Sequence, residues 1–400
     1  MNKRVFTLFL AVLMLLSLCA CGVSSVQSTA EEKGEEKPTG EKTVEAAPTE
    51  TPSPLEQLFL DAESGDTEAM VRLGDVYRYG DGVETDMEAA RSWYEKAGDA
   101  GQGDAYLWLG DTYYFSSGEL QDYSEAFKYY SKAAEAGVAD AMGNLGVLYG
   151  SGRGVEQDNA KAAQWYEKAV DAGCVWAMNN LANMYLYGRL ESGKDEEKGL
   201  DLLNRAAEAG YSGAYTTLGS YYHYQANDYD KAEEYYLKAA EAGETRACTN
   251  LGSMYMYQLN DYDKAEEWLI KAVETGDNAS FTKVMLGDLY SGVGGMAKLD
   301  FEKAIEWFTK SMETDNPEPY GIFRLGNLYY QGQGVEVDYN KAFELFNRAV
   351  ELWKEKNSLD VFYPMTVEKI GDMYRSGQGV EKDEEKAAEY YQWAKELSSR

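Results

Sequence analysis

Histidine occurs once in 400 residues, at His223. That scarcity argues against imidazole-based metal centres, which draw on several N or S ligands. Proline is also scarce, at 7 residues, so long helical segments are permitted. Cysteine is limited to Cys19, Cys21, Cys174 and Cys248. The first two close an apolar run. The other two are far apart, with no metal-like spacing, and read as small buried residues. Positive charge is in deficit, with 38 Lys and Arg against 69 Asp and Glu, a net charge of −31. Such a chain repels nucleic-acid phosphates and anionic headgroups, so no nucleic-acid partner is expected. Gly-x-Ser-x-Gly is absent, and a single His forbids His-Glu-x-x-His. The acidic stretch at 227–236 lacks the turn Gly and terminal Glu of a calcium loop. The chain therefore offers no catalytic residue, no metal site and no cofactor, and it is not expected to be an enzyme.

What is present begins with an export signal. Lys3 and Arg4 precede an apolar run to about Leu18, too short for a membrane span and suited to a signal-peptide core over residues 1–20. The run ends in Leu18-Cys19-Ala20-Cys21-Gly22, which resembles a bacterial lipobox. That resemblance implies lipid attachment at Cys21 and an anchor in the cell membrane, with the folded part on the extracytoplasmic side. Two or more acyl chains suffice for stable anchoring. Residues 21–53 contain no aromatic residue and are rich in Glu, Lys, Thr and Pro, the composition of a disordered tether. About 31 flexible residues span roughly 30 Å.

The remainder, residues 54–400, is one pattern repeated nine times. Leu-Gly-x-x-Tyr or a close variant starts at Leu73, Leu109, Leu145, Leu181, Leu218, Leu251, Leu286, Leu325 and Ile370. A second block follows each, opening on Asp86, Asp122, Asp158, Asp195, Asp228, Asp261, Asp300, Asp338 and Asp383. In the third repeat Ala162, Trp165, Tyr166 and Ala169 fall at i, i+3, i+4 and i+7, one face of an α-helix. Asp is a strong N-cap, and Gly101, Gly137, Gly173, Gly210, Gly243 and Gly276 suit the left-handed position after a helix. Each unit is predicted to be helix-turn-helix, unable to bury its apolar face alone and stacked into a continuous core. Residues 54–66 read as a lone second-type helix capping the first repeat. The stretch YGSGRGVEQD, 149–158, looks like a phosphate cradle, but its cousins recur between the blocks at 79–86, 331–338 and 376–383. Its glycines are turn glycines.

These blocks resemble Sel-one-like repeats, relatives of the tetratricopeptide repeat. The residues that carry the likeness are Leu145-Gly146, Tyr149, Gly152, Gly154-Val155, Asp158, Lys161-Ala162, Trp165-Tyr166, Lys168-Ala169 and Gly173. The fifth and sixth repeats have the shorter turn of a tetratricopeptide unit, and the fourth departs with Ala182 and Gly199. The resemblance implies an all-α, right-handed superhelical solenoid that holds partners. By analogy with tetratricopeptide arrays, positions two, five and six after the motif Leu line its concave side. They place Asp75, Tyr79, Asp111, Tyr114, Phe115, Asn183, Tyr187, Ser220, Tyr224, Tyr257, Asn327, Tyr330, Asp372 and Arg375 there. The expected function is a membrane-anchored scaffold that binds a protein or peptide partner, with a basic segment favoured by the acidic, Tyr-lined groove. A cell-wall glycan or peptidoglycan binder is the alternative, since stacked Tyr rings with Asn and Asp also suit sugars.

Overall fold

The structure, a computed structural model, describes residues 52–399 apart from 117, 119, 120, 278, 293, 294, 296 and 297. The expected signal peptide, Cys21 and all but the last two residues of the tether lie outside the described residues. Among the described residues there are nineteen α-helices, and the one β-bridge joins Ser291 to Leu299. They divide into two compact units, 52–209 and 210–399.

The first unit opens with α1 (Pro54–Glu63), capped by Ser53 in a reciprocal box with Glu56. Four helix pairs follow: α2 (Thr67–Tyr79) with α3 (Met87–Asp99), α4 (Gly103–Phe115) with α5 (Tyr123–Glu135), α6 (Ala139–Ser151) with α7 (Asn159–Asp171), and α8 (Val175–Leu186) with α9 (Glu196–Glu208). The second unit contains five pairs: α10 (Gly213–Tyr221) with α11 (Tyr229–Glu241), α12 (Thr245–Met254) with α13 (Tyr262–Glu274), α14 (Ser280–Tyr290) with α15 (Phe301–Met312), α16 (Pro319–Gln331) with α17 (Tyr339–Glu355), and α18 (Phe362–Ser376) with α19 (Glu384–Ser398). Even-numbered helices are the first of a repeat, odd-numbered helices from α3 the second.

All nine motif aspartates are N-caps, each accepting a backbone N–H from its own first turn. A cap of this kind is worth about 1 kcal/mol. The Asp also closes the corner. Its own N–H donates to the carbonyl of the motif Tyr in every repeat, at 2.9–3.0 Å, from Asp86 to Tyr77 through Asp383 to Tyr374. In six repeats a lysine three residues on lays its ammonium over that ring, as with Lys161 over Tyr149 at 5.4 Å, Lys264 over Tyr255 at 4.6 Å and Lys303 over Tyr290 at 4.8 Å. Each such contact contributes about 0.5–1 kcal/mol.

Helix pairs close on the motif glycine. A Cβ on Gly146 would come within 2.6 Å of the Tyr166 ring, and one on Gly287 within 2.5 Å of Phe308. The fourth repeat inverts the arrangement. Ala182 stands where the others have Gly, Leu203 replaces the ring, and Gly199 makes room for Leu186, which a Cβ would meet at 2.6 Å. Ala90, Ala126, Ala162, Ala232, Ala265 and Ala304 occupy the position equivalent to Gly199 and are fully buried.

The Gly-rich corner has a purpose beyond positive φ. Gly154 rests on the start of the preceding repeat's second helix, where a Cβ would overlap the Tyr123 carbonyl. Gly379 rests in the same way on Tyr339, and Gly334 on Phe301. Gly82, in the first repeat, meets nothing within 4 Å. In the fifth and sixth repeats the corner is remade: π-helical turns at Tyr222–Ala226 and Tyr255–Leu259 extend the first helix, and Asn227 and Asn260 take φ of 53° and 54°.

Candidate functional site

The face formed by the first helices was predicted to carry the contact residues. Position two after the motif Leu is partly committed to holding the pairs together. The Tyr94 hydroxyl donates to Asp75 at 2.7 Å, Tyr130 to Asp111 at 2.8 Å and Tyr391 to Asp372 at 2.7 Å. Asp111 also accepts from Asn144 of the next repeat at 3.5 Å, and burial raises its pKa. Asp372 is held by Arg375 at 3.0 Å. Ser220 accepts from Tyr236 at 3.2 Å, and the Asn327 amide donates to the Phe323 carbonyl one turn back at 3.1 Å. Asn183 is buried.

Positions five and six divide. Tyr79 is 67% exposed with the Arg78 guanidinium 5.1 Å from its ring centre, and Phe115 is 55% exposed. Tyr114 is buried beneath Phe115, with rings packed edge to face at 4.8 Å, and its hydroxyl accepts from Arg153 at 3.1 Å. Arg153 is the arginine of the Gly-rich stretch, so that side chain serves the neighbouring repeat rather than an anion. Tyr187, Tyr224, Tyr257 and Tyr330 are half-buried. Tyr330 donates to Gln378 at 2.9 Å, with Lys369 4.5 Å above its ring. Arg375 is exposed and lies over Tyr391. Of the predicted residues, Tyr79, Phe115 and Arg375 stand open, Tyr187, Tyr224, Tyr257 and Tyr330 are half-buried, and Tyr114 and Asn183 are interior.

Two polar clusters in the second unit were not anticipated. His223 is 1% exposed and stacks on Tyr224 at 3.8 Å. With the Gln258 amide turned nitrogen-first, Gln258 donates to Nε2 at 3.2 Å, which places the imidazole proton on Nδ1, 3.4 Å from the Tyr236 oxygen. Burial pushes the imidazole down to about 4, so the ring is neutral at physiological pH. In the seventh repeat the second helix offers Phe308 in place of Tyr, and Asp288 has no hydroxyl donor from its own repeat. Instead Arg324 of the eighth repeat reaches it at 3.2 Å, while also bonding Tyr320 at 3.1 Å and Ser291 at 3.0 Å. Asp288 is 3% exposed, and burial pushes its carboxyl up to about 6 against the pull of Arg324. Tyr257 shares this field: burial, then the Asp288 charge, raise its hydroxyl well above the usual range. The sequence signal for the second cluster was Phe308, where the first, second and ninth repeats, which also have Asp at position two, have Tyr. Among the described residues no group of three or more His, Cys, Asp or Glu could hold a metal ion.

The Sel1 repeat model matches residues 67–102, 103–138, 139–174, 177–211, 284–313, 319–352 and 368–399, more than half of the chain. The chain belongs to the Sel1 repeat family. The two remaining repeats, 212–242 and 245–275, match a tetratricopeptide repeat model, and these are the repeats with π-helical corners. Among solved structures, the Sel1 array is similar to a protective antigen of uropathogenic Escherichia coli that displays an SLR fold. The two are 27% identical, over 86% of this chain and 87% of that one, with a TM-score of 0.44. It is similar as well to a Sel1 repeat protein of Oxalobacter formigenes, at 29% identity, 55% and 99% coverage and a TM-score of 0.45. An immunity protein of Pseudomonas aeruginosa shows 25% identity, 53% and 81% coverage and a TM-score of 0.41. No curated protein sequence matches the chain. Sel1 and tetratricopeptide repeats generally mediate protein–protein interaction and are typically non-catalytic scaffolds.

Proposed function

We propose that this Sel1 array is an exported, lipid-anchored scaffold that binds a protein partner on the face of its first helices and carries out no bond chemistry. Lipid on Cys21 would hold it to the membrane and residues 21–53 would give it reach. The observation that carries the reading is the display of Tyr79 and Phe115 to solvent at equivalent positions of α2 and α4. Aromatic anchors of this kind dominate binding energy when a partner covers them. The −31 charge of the chain favours a partner surface rich in Lys and Arg.

The test is affinity capture from envelope extract with the chain and its Tyr79→Ala/Phe115→Ala variant. Both side chains are exposed, so circular dichroism of the variant should be unchanged. A protein partner retained by the chain, lost by the variant and weakened at high salt is the expected result. Recovery of murein alone, by chain and variant equally, contradicts it and favours the glycan binder. The anchor is tested separately: growth with a clickable fatty acid should label the chain and leave Cys21→Ser unlabelled.

A further inference from the structure

Within each unit two sequence positions are used against the following repeat. One lies two residues before the motif Leu: Val71, Leu107, Gly143, Asn179, Thr216, Thr249, Val284 and Phe323. Gly143 sits against Trp176 of the next repeat, and Phe323 against Phe362 at 5.5 Å. The other lies twelve residues after the capping Asp: Gly98, Ala134, Val170, Ala207, Ala240, Val273, Met312 and Val350. None of these sixteen residues is charged. In the ninth repeat the same two positions are Glu368 and Lys395. Both are exposed, and neither forms an ion pair among the described residues.

A face made only for solvent would be polar throughout. This one is not. Leu359 is 81% exposed, Met365 53% and Val361 48%. Val361, Pro364, Met365 and Glu368 fall at i, i+3, i+4 and i+7, a single stripe at the start of α18. The stripe borders a groove of about 650 Å³ whose other wall is Tyr391, Ala394, Lys395 and Ser398 of α19. The equivalents of Tyr391 and Ala394 in the second repeat, Tyr130 and Ala133, are fully covered, whereas Tyr391 is only half-buried. The groove therefore continues the interface used between successive repeats within a unit, where a first helix is the natural occupant.

We infer that this face pairs with the same face of a second copy of the chain, α18 of each copy lying in the groove of the other. The patch is self-complementary. It holds both the apolar ridge and the groove that receives it, and a two-fold axis brings Glu368 of each copy toward Lys395 of the other. It also places a balanced pair of charges at the contact of a chain whose excess negative charge would otherwise oppose self-association. This inference is independent of the partner proposed for the first-helix face.

Light scattering on the purified chain gives the test. Dimers should form with a dissociation constant on the order of micromolar, as for interfaces at the small end of the range. Met365→Asp should weaken association at least ~10-fold with helicity unchanged. Glu368→Lys alone and Lys395→Glu alone should each give monomer, and the two together should restore the dimer, a rescue that a merely misfolded surface would not show. A wild-type monomer at concentrations well above micromolar overturns the inference. So does a dimer that survives all three single substitutions, or a double swap that stays monomeric.

Discussion

The third repeat and the sixth turn the same corner by different means. In the third, Gly152 and Gly154 carry the chain through left-handed φ, and Gly154 beds on the Tyr123 carbonyl of the preceding repeat. In the sixth, the first helix runs on through a π-turn and Asn260 makes the reversal alone. What survives in both is the Asp cap, its N–H bond to the motif Tyr and the lysine over that Tyr ring. Those three contacts lie within one repeat. The Gly-x-Gly loop reaches into the neighbour, so it can be exchanged wherever the neighbour does not need it. The difference separates what defines a helix pair from what joins pairs together.

The strongest way to break the comparison is to add one methyl to the loop. Gly154→Ala should destabilise the first unit by about 3 kcal/mol or more, because backbone atoms of Tyr123 and Ser124 block the Cβ and φ is also left-handed. Gly82→Ala, with a similar left-handed φ and no neighbour within 4 Å, should cost only about 1–2 kcal/mol. Denaturant titration of both variants decides it, and equal losses would mean that the loop's contact with its neighbour contributes nothing.

A second effect belongs to the repeats with altered corners and the one after them. The folded state lowers the His223 pKa from 6.5 to about 4, so the unfolded chain holds more protons between these values and stability rises with pH there. Asp288 is shifted the other way, from 3.8 to about 6, so the folded state holds its proton longer and stability falls as pH rises through that window. Each shift corresponds to roughly 3 kcal/mol, and the two oppose one another over pH 4–6. Relative to the unaltered chain, Asp288→Asn should therefore gain stability as pH rises from 4 to 6, and His223→Gln should lose it. Melting temperatures across that range, compared variant against parent, give both signs.

Asn227→Ala and Asn260→Ala should each cost about 1 kcal/mol, since Ala resists φ near +54°, whereas Gly at either position should be close to neutral. The smallest effect sharpens the comparison from the opposite side. Lys161→Met and Lys264→Met should each lose about 0.5 kcal/mol, the same in both repeat types, because the lysine–tyrosine contact is common to them. A clear difference between the two would show that the corner does affect the core of the pair.

The helix pairs were legible residue by residue. The nine Asp caps, the left-handed glycines from Gly101 to Gly276 and the lone helix at Pro54–Glu63 stand where the pattern placed them, because each depends on contacts within a turn or two of chain. Repeats five and six were distinguishable by the length of the corner, but not the π-turn that replaces it. The candidate face was legible only as an azimuth. Helical periodicity tells which way Tyr114 and Asn183 point, not that both are buried, Tyr114 beneath Phe115 and Arg153 of the next repeat. Asp288 and Arg324 are 36 residues apart and meet only through stacking, which no single-helix pattern records. Cys174, read as a small buried residue, is one, and burial with a hydrogen bond to Asp140 pushes its thiol up to about 12.

The central claim, that the first-helix face is the working surface, is tested most directly by amide hydrogen exchange with the captured partner bound. The account predicts added protection at the ends of α2 and α4, around Tyr79 and Phe115, and none on the second helices. Protection confined to the second helices, or none anywhere in residues 67–115, would contradict it.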